Sequence, residues 1–531
     1  MAATGGDHGA AAATVAVRLL DRPRPVFVEA GRKCEEVALA IARDHVGVRP
    51  LASTLVGLWN WADGLWLAPD QELGEAVARS PSSKRAATPL EFRVRFKVPY
   101  PNKLLRLDRS AFDYFYQQTR VDFHERQGEV IRARIAGATT GRKAGWLVPI
   151  VNASDEAERE VKRDLLHKMQ NLVMLSLAVA ARDEALSEKE IQKSVDKFAP
   201  KNMWQNIAEK KISMSPLFDG VADAVQKLKG QHNSEVLKLE YLCKMEEFFP
   251  DYYCARFGEA LWNRQDGHTE KVRLFVRPPM RGRRSASDAA PPPPEAEPEL
   301  QMYSVVKSES PEAAALLVPA ALPVMTCAVE EIINVSVGDE DGLASPGVSV
   351  EIARKSGIPL YLKLPSRPHF ASLVSHLGGY YRLCEKWTFS LCGELRHASL
   401  QFNMANNVHG PVSDEFVEEK FAQKCKHKAG SFILRQSPDR YNLLYLHYMP
   451  AGASKLCVLH IVKTDEGKYR VAVPELGTKE FPSVGALIRS LREAELIQDC
   501  LHPSEYDRSD SLLLCRSVRF YFLGLSLFLR T

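Results

Sequence analysis

No C-x-x-C pair occurs among the ten cysteines, which fall at 34, 243, 254, 327, 384, 392, 425, 457, 500 and 515. Zinc ribbons and thioredoxin-like redox centres are excluded on that ground. Cys425 and His427 stand close together without a second ligand pair nearby, so they read as ordinary side chains, and no metal or cofactor is expected. The set reads as reduced, cytosolic thiols. Charge of one sign is also lacking. Lys plus Arg is 70 and Asp plus Glu is 66, a net +4, too even for a dedicated nucleic-acid binder. Met1–Ala13 has neither a basic start nor a long apolar core, so it is not a secretory signal, and the sequons at Asn152 and Asn334 read as chance matches. The apolar run Phe520–Leu529 has ten residues, whereas a membrane-spanning helix needs about 20. It reads as part of an unassigned tail over 511–531.

What is present is an ordinary globular mixture, 45% hydrophobic and 26% charged over 531 residues. At roughly 100–200 residues per domain this is enough for several cores. Residues 14–100 open with alternating strands at Val15–Leu20 and Pro25–Val28. A helix follows with Cys34, Val37, Ala38 and Ile41 on one face, then short apolar segments holding Trp59, Trp61 and Trp66, and a last strand alternating Phe92, Val94 and Phe96. That order predicts a ubiquitin-like roll, with the tryptophans in its core and edge.

Residues 101–242 are helical. Phe112, Phe115 and Tyr116 precede a long helix starting near Ser154 and Asp155, with Glu158 placed as in a capping box. Val161, Leu165, Met169 and Leu172 line one face, and Leu172–Ala181 is apolar all round, as in the central helix of a bundle. Ser187 and Glu190 open the next helix. Lys189, Lys193, Lys197, Lys201, Lys210 and Lys211 make this surface basic. A solvated face explains it, with an anionic lipid surface or an acidic peptide as the alternatives. Residues 243–395 read as strands, among them Lys271–Val276, Ile332–Val337, Val348–Ile352 and Leu360–Leu364, closed by a helix bearing Phe370, Leu373, Val374 and Leu377 after Pro368. A stretch rich in Pro, Ala, Ser and Glu, about 281–319, reads as a disordered insertion. Strands plus a terminal helix predict a pleckstrin-homology-like (PH-like) sandwich.

Roll, bundle and sandwich in that order resemble the three lobes of a FERM domain. LEFRVRFKVPY at 90–100 resembles the strand closing the first FERM lobe. LKLEYL at 237–242 and HLGGYYRL at 376–383 resemble Janus tyrosine kinases at the lobe junction and the terminal helix.

Residues 396–510 hold the most readable chemistry. GSFILRQS at 430–437 is an apolar strand broken by Arg435. A charge there is costly unless paired, and two partners suit it equally: an internal carboxylate, or a phosphate gripped by the planar guanidinium fork. Around it lie a helix from Ser413 with Phe416, Val417 and Phe421, the strands Leu443–Tyr448 and Leu456–Val462, and a second helix with Val484, Leu487, Ile488 and Leu491. This layout is that of SH2 domains, and GSFILRQS resembles their FLVRES strand. HGPVSDEFVEEKF and GSFILRQSPDRYNLLYLH resemble Janus kinases specifically. The resemblance implies an α+β multidomain fold, FERM followed by an SH2-like domain.

Carried over residue by residue, the resemblance makes Arg435 the phosphate-gripping arginine, Ser437 the hydroxyl donor and His460 the pocket histidine, with Arg440 in the next loop adding charge. Two positions depart: Asp414 stands for a first-helix arginine, and Val462 for a lysine. An acid beside a dianion repels it, so a degraded phosphotyrosine pocket is expected. The resemblance further implies a partner, the cytoplasmic tail of a cytokine-type receptor in JAK–STAT signalling, held by the second FERM lobe and the SH2 groove. It places the chain at the inner face of the plasma membrane through that receptor, with no nucleic-acid partner. Janus kinases continue into pseudokinase and kinase domains. This sequence has no G-x-G-x-x-G loop, HRD or DFG, and only 21 residues after Asp510. The expectation is a non-catalytic receptor-binding module. The alternatives are a fragment of a non-receptor tyrosine kinase and a FERM-type membrane–cytoskeleton linker.

Overall fold

The computed structural model describes residues 13–78, 90–126, 155–200, 220–279, 298–305, 322–338, 347–473 and 477–502. The apolar tail 511–531, Asn152, Ser154, Lys201, Lys210, Lys211 and most of the expected insertion lie outside these residues. The chain divides into two compact units. The first draws on Met1–Arg95, Ala371–His376 and Gly393–Glu505, and the second on Phe96–Phe370 and Leu377–Cys392.

In the first unit, β1 (Thr14–Arg18) alternates so that Val15 and Val17 are buried. A turn leads to β2 (Val26–Glu29), helix α1 (Cys34–Ile41), β3 (Val56–Asn60), β4 (Leu65–Trp66), a short helix α2 (Leu73–Ala78) and β5 (Leu90–Val94). The sheet order is β2-β1-β5-β3-β4, with β1 and β5 parallel, the ubiquitin-like roll that the sequence pattern predicts. Cys34, Val37, Ala38 and Ile41 are the buried residues of α1. Trp59 and Trp66 meet edge to face at 5.0 Å, whereas Trp61 is 46% exposed. In β5 the charged residues are buried together with the apolar ones, because each is paired. Glu91 accepts from Arg93 at 2.9 Å and from Arg18 at 3.3 Å. Arg95 donates to Ser375 Oγ at 2.7 Å and to His376 Nδ1 at 3.3 Å.

The second unit begins with helices α3 (Pro101–Leu107), α4 (Arg109–Glu125), α5 (Asp155–Asp183), α6 (Glu188–Phe198), α7 (Val221–Gln231) and α8 (Ser234–Phe248). Asp108 caps α4 by accepting from Ala111 N, and Asn233 caps α8 by accepting from Val236 N. Leu172, Leu177, Ala178 and Ala181 of α5 are fully buried, as expected of a central helix. The expected boundary at 242/243 is corrected here: α8 runs on to Phe248, where Pro250 starts a 3₁₀ turn.

Seven strands follow: β6 (Ala255–Asn263), β7 (Thr269–Arg277), β8 (Glu299–Ser304), β9 (Met325–Ala328), β10 (Ile332–Val337), β11 (Val348–Arg354) and β12 (Leu360–Leu364). They pair in the order β10-β11-β12-β6-β7-β8-β9, a meander joined to itself through β12 and β6, as in a PH-like sandwich. β8 corrects a second expectation. It lies inside the stretch read as a disordered insertion, yet pairs with β7 from Arg277↔Glu299 to Val272↔Ser304 and buries Leu300 and Met302. Helix α9 (Arg367–Cys384) has Pro368 in its first turn and contributes residues to both units. Buried Lys97 pairs with Glu246 at 3.3 Å and donates to the Pro279 carbonyl at 3.2 Å.

The remaining elements belong to the first unit: α10 (Ala398–Ala405), β13 (Val408–His409), α11 (Asp414–Lys420), β14 (Phe432–Gln436), β15 (Leu443–Tyr448), β16 (Cys457–Lys463), β17 (Tyr469–Val473), β18 (Gly477–Phe481) and α12 (Val484–Glu493). The strands pair in chain order, β13 parallel to β14 and the rest antiparallel. The roll touches this domain at named groups. Tyr441 Oη donates to the Val48 carbonyl at 2.8 Å, Arg49 pairs with Asp439 at 3.2 Å, and Glu35 accepts from Ala398 N at 2.7 Å at the start of α10.

Candidate anion pocket on the six-stranded sheet

Alternation sends the side chains of β14, β15 and β16 to opposite faces. One face is the core, where Phe432, Leu434, Leu444, Leu446, Leu459 and Ile461 join Val484, Leu487 and Leu491 of α12. On the other face the register sets Arg435 opposite Tyr445, and Tyr445 opposite His460. The guanidinium carbon lies 4.9 Å from the Tyr445 ring centroid, and the Tyr445 and His460 rings meet edge to face at 5.1 Å.

The Arg435 side chain is only 3% exposed, and a buried cation needs partners for its charge and its donors. Each of its three nitrogens has one. Nε donates to His447 Nε2 at 2.9 Å, Nη1 to the Val412 carbonyl and Nη2 to the Asp414 carboxylate. Burial pulls Arg435 below its ordinary pKa, and the Asp414 charge opposes that. His447 accepts at Nε2, so its ring is neutral with the proton on Nδ1. Burial first, and the Arg435 charge second, push its pKa down to about 4. Of the two partners the sequence left open for Arg435, the internal carboxylate is in place.

Asp414 begins α11 directly after Ser413, whose Oγ accepts from Phe416 N at 3.3 Å. The Asp414 side chain is 73% exposed, so it reaches the buried fork from the solvent side. Ser437 is buried, and its hydroxyl serves the turn. It accepts from Asp439 N and Arg440 N, each at 3.2 Å, and lies 3.4 Å from Tyr445 Oη. Arg440 is exposed in that turn. Val462 is exposed on β16, on the same face as His460.

The histidine touching Arg435 is thus His447, which sequence reasoning missed, and not His460. The signal was present: Tyr445 and His447 are two apart on β15, so they share the face Arg435 occupies. Cys425 and His427 show no ligand geometry; the His427 ring stacks on Phe421 at 6.4 Å. Among the described residues no group of three or more His, Cys, Asp or Glu is placed to hold a metal ion, and no helix is long and apolar enough to cross a membrane.

Comparison with known proteins now bears on this geometry. Residues 406–502 match the SH2 domain family. The chain is 28% identical over 179 residues to the tyrosine-protein kinase JAK3 of Rattus norvegicus, a match spanning 33% of this chain and 15% of that protein. It is 31% identical over 85 residues to the tyrosine-protein kinase hopscotch of Drosophila melanogaster, spanning 16% of this chain and 7% of that one. Among solved structures, the FERM and C-terminal domain complex of Drosophila Merlin is similar at 12% identity and a TM-score of 0.39, over 69% of this chain and 95% of that one. The sequence matches cover only a small part of the curated relatives' length. Together with the order of lobes, they identify a Janus-kinase-like FERM–SH2 region in a multidomain α+β chain.

Proposed function

We propose that this chain is a receptor-binding module that holds the cytoplasmic tail of a cytokine-type receptor without relying on phosphotyrosine. The observation that carries the reading is the occupancy of Arg435. Its fork is spent on Asp414, Val412 and His447, so a phosphate must displace a carboxylate to reach it. The SH2 domain match and the kinase relatives support the receptor context. Ser437 is engaged in its own turn, and Val462 stands where a further cation would strengthen phosphate binding. Binding then draws on the exposed face of β16 and on the helical lobe, whose basic α6 face bears Lys189, Lys193 and Lys197. An anionic membrane surface is the secondary partner for that face. The 531 residues contain no kinase motif, so recognition is the role assigned to them. Whether a kinase accompanies the module does not alter that role.

The test is calorimetry on the full chain with receptor juxtamembrane peptides, phosphorylated and unphosphorylated. The unphosphorylated peptide is expected to bind, and phosphorylation to change the affinity less than about threefold, which is under 1 kcal/mol. A gain of a hundredfold on phosphorylation, lost in Arg435→Lys, would overturn the phosphate-independent reading. Absence of binding to every receptor peptide would favour the membrane–cytoskeleton linker.

A further inference from the structure

Arg435 is held in two different ways. The Val412 carbonyl and His447 Nε2 are neutral acceptors, and they fix the guanidinium against the Tyr445 ring. Asp414 is the carboxylate that the fork hydrogen-bonds, with the Glu415 charge acting from nearby, and it arrives from a side chain that is mostly exposed. The buried partners therefore position the fork, and the exposed partner neutralises it. A guanidinium placed this way, with one face on an aromatic ring and its Nη2 on a carboxylate that comes from an exposed side chain, is arranged to take an oxyanion. A chain-borne carboxylate already occupies that place.

We propose that Asp414 is a tethered competitor that keeps a phosphotyrosine-class site closed, and that removing its charge opens the site to an aryl phosphate dianion. The inference deepens the proposed function, since it names what excludes phosphate, and it rests on the same assignment of the pocket. It does not depend on which receptor, if any, the module holds. The competition is intramolecular. A group fixed at the first position of α11, a few ångströms from the fork, acts at an effective concentration of about millimolar or higher. A free phosphate must exceed that to bind. Once displaced, Asp414 remains beside Glu415 at the mouth of the pocket, so the incoming dianion also meets repulsion. Taking away only the Asp414 charge removes the competitor and its share of the repulsion, leaving Glu415 as the remaining acid and Val412, His447 and Tyr445 holding the fork. The site then offers the Arg435 fork to the phosphate and the Tyr445–His460 ring pair to the aryl group.

The experiment uses the full chain, Asp414→Asn and the double variant Asp414→Asn/Arg435→Lys, with N-acetyl-phosphotyrosine amide as the probe in calorimetric titrations. Asp414→Asn is expected to bind at least tenfold more tightly than the unchanged chain, a difference of about 1.4 kcal/mol. The double variant is expected to fall back to the unchanged chain's level, and N-acetyl-tyrosine amide to show no gain. Asp414→Ser, which also suits the first turn of a helix, is expected to reproduce the gain, so that misfolding of one variant does not decide the matter. The proposal fails if the unchanged chain already binds the probe as tightly as folded Asp414→Asn, or if the gain persists in the double variant. Failure of every receptor peptide to bind would sink the receptor reading and leave this result standing.

Discussion

Replacing Gly379 by alanine adds one methyl group at a place already filled. A Cβ built there lies 2.0, 2.5 and 2.8 Å from three carbons of the Phe96 ring, whereas carbon atoms settle at about 3.5–4.0 Å. Phe96 is buried and meets Tyr380 edge to face at 5.1 Å, and Tyr380 Oη accepts from Lys97 N at 3.2 Å. The ring therefore cannot swing aside without disturbing a second ring and a backbone hydrogen bond. Overpacking of this kind costs about 3 kcal/mol, and exchanging glycine for alanine inside a helix returns about 1 kcal/mol. The net loss is about 2 kcal/mol. Gly378 is the internal control, because a Cβ there meets only Arg382 Nη1 at 3.5 Å, an ordinary contact. Gly378→Ala should keep or gain up to about 1 kcal/mol, so the two neighbouring substitutions should differ by about 3 kcal/mol in opposite directions. Thermal unfolding of the full chain and both variants measures this. If Gly379→Ala melts at or above the unchanged chain, the close approach of Phe96 is not what requires glycine there.

Two further outcomes follow from the SH2 domain. His447 titrates at about 4 in the fold and at about 6.5 when unfolded, so between those values the unfolded chain binds the additional proton. Stability should fall as the pH drops from about 6.5 to about 4, by up to about 3 kcal/mol; His447→Gln should flatten that part of the curve of melting temperature against pH, and an unchanged curve would remove His447 as its cause. Gly430 sits at φ +81° with Gln498 carbons 3.2 Å from a Cβ placed there. Gly430→Ala should cost at least about 1–2 kcal/mol, read as an earlier transition in urea, and an unshifted midpoint would contradict the left-handed backbone at that residue.

Elements whose patterns are local were legible in the sequence. The alternation of β1, the apolar β14 broken by Arg435, the one-sided helix α1, the Ser187–Glu190 cap and Pro368 in the first turn of α9 all depend on neighbours within a few residues. β8 was hidden because its flanks are rich in Pro, Ala and Glu, and its two buried residues, Leu300 and Met302, are too few to outweigh them. The end of α8 had a signal in Pro250, but the family-like string LKLEYL drew the boundary six residues too early, at 242 rather than 248. The candidate pocket around Arg435 was legible from GSFILRQS. Its occupant was not, since Asp414 and Arg435 are 21 residues apart and meet only because β13 lies parallel to β14. Sequence chemistry leads one to expect that Asp414 repels phosphate. The structure adds that the same carboxylate neutralises the arginine.

The hydrogen bond from Tyr441 to Val48 and the ion pair between Arg49 and Asp439 span 393 and 390 residues of chain. A ribosome adding about 5–20 residues per second needs on the order of 20–80 s between making the two halves of that contact. A roll that folds within that interval does so while the surface that receives Tyr441 and Asp439 is bare. The newborn chain then has a waiting stage in which the roll lacks its neighbour, and a chaperone has tens of seconds to act there. Premature termination anywhere before about residue 441 leaves that face permanently uncovered.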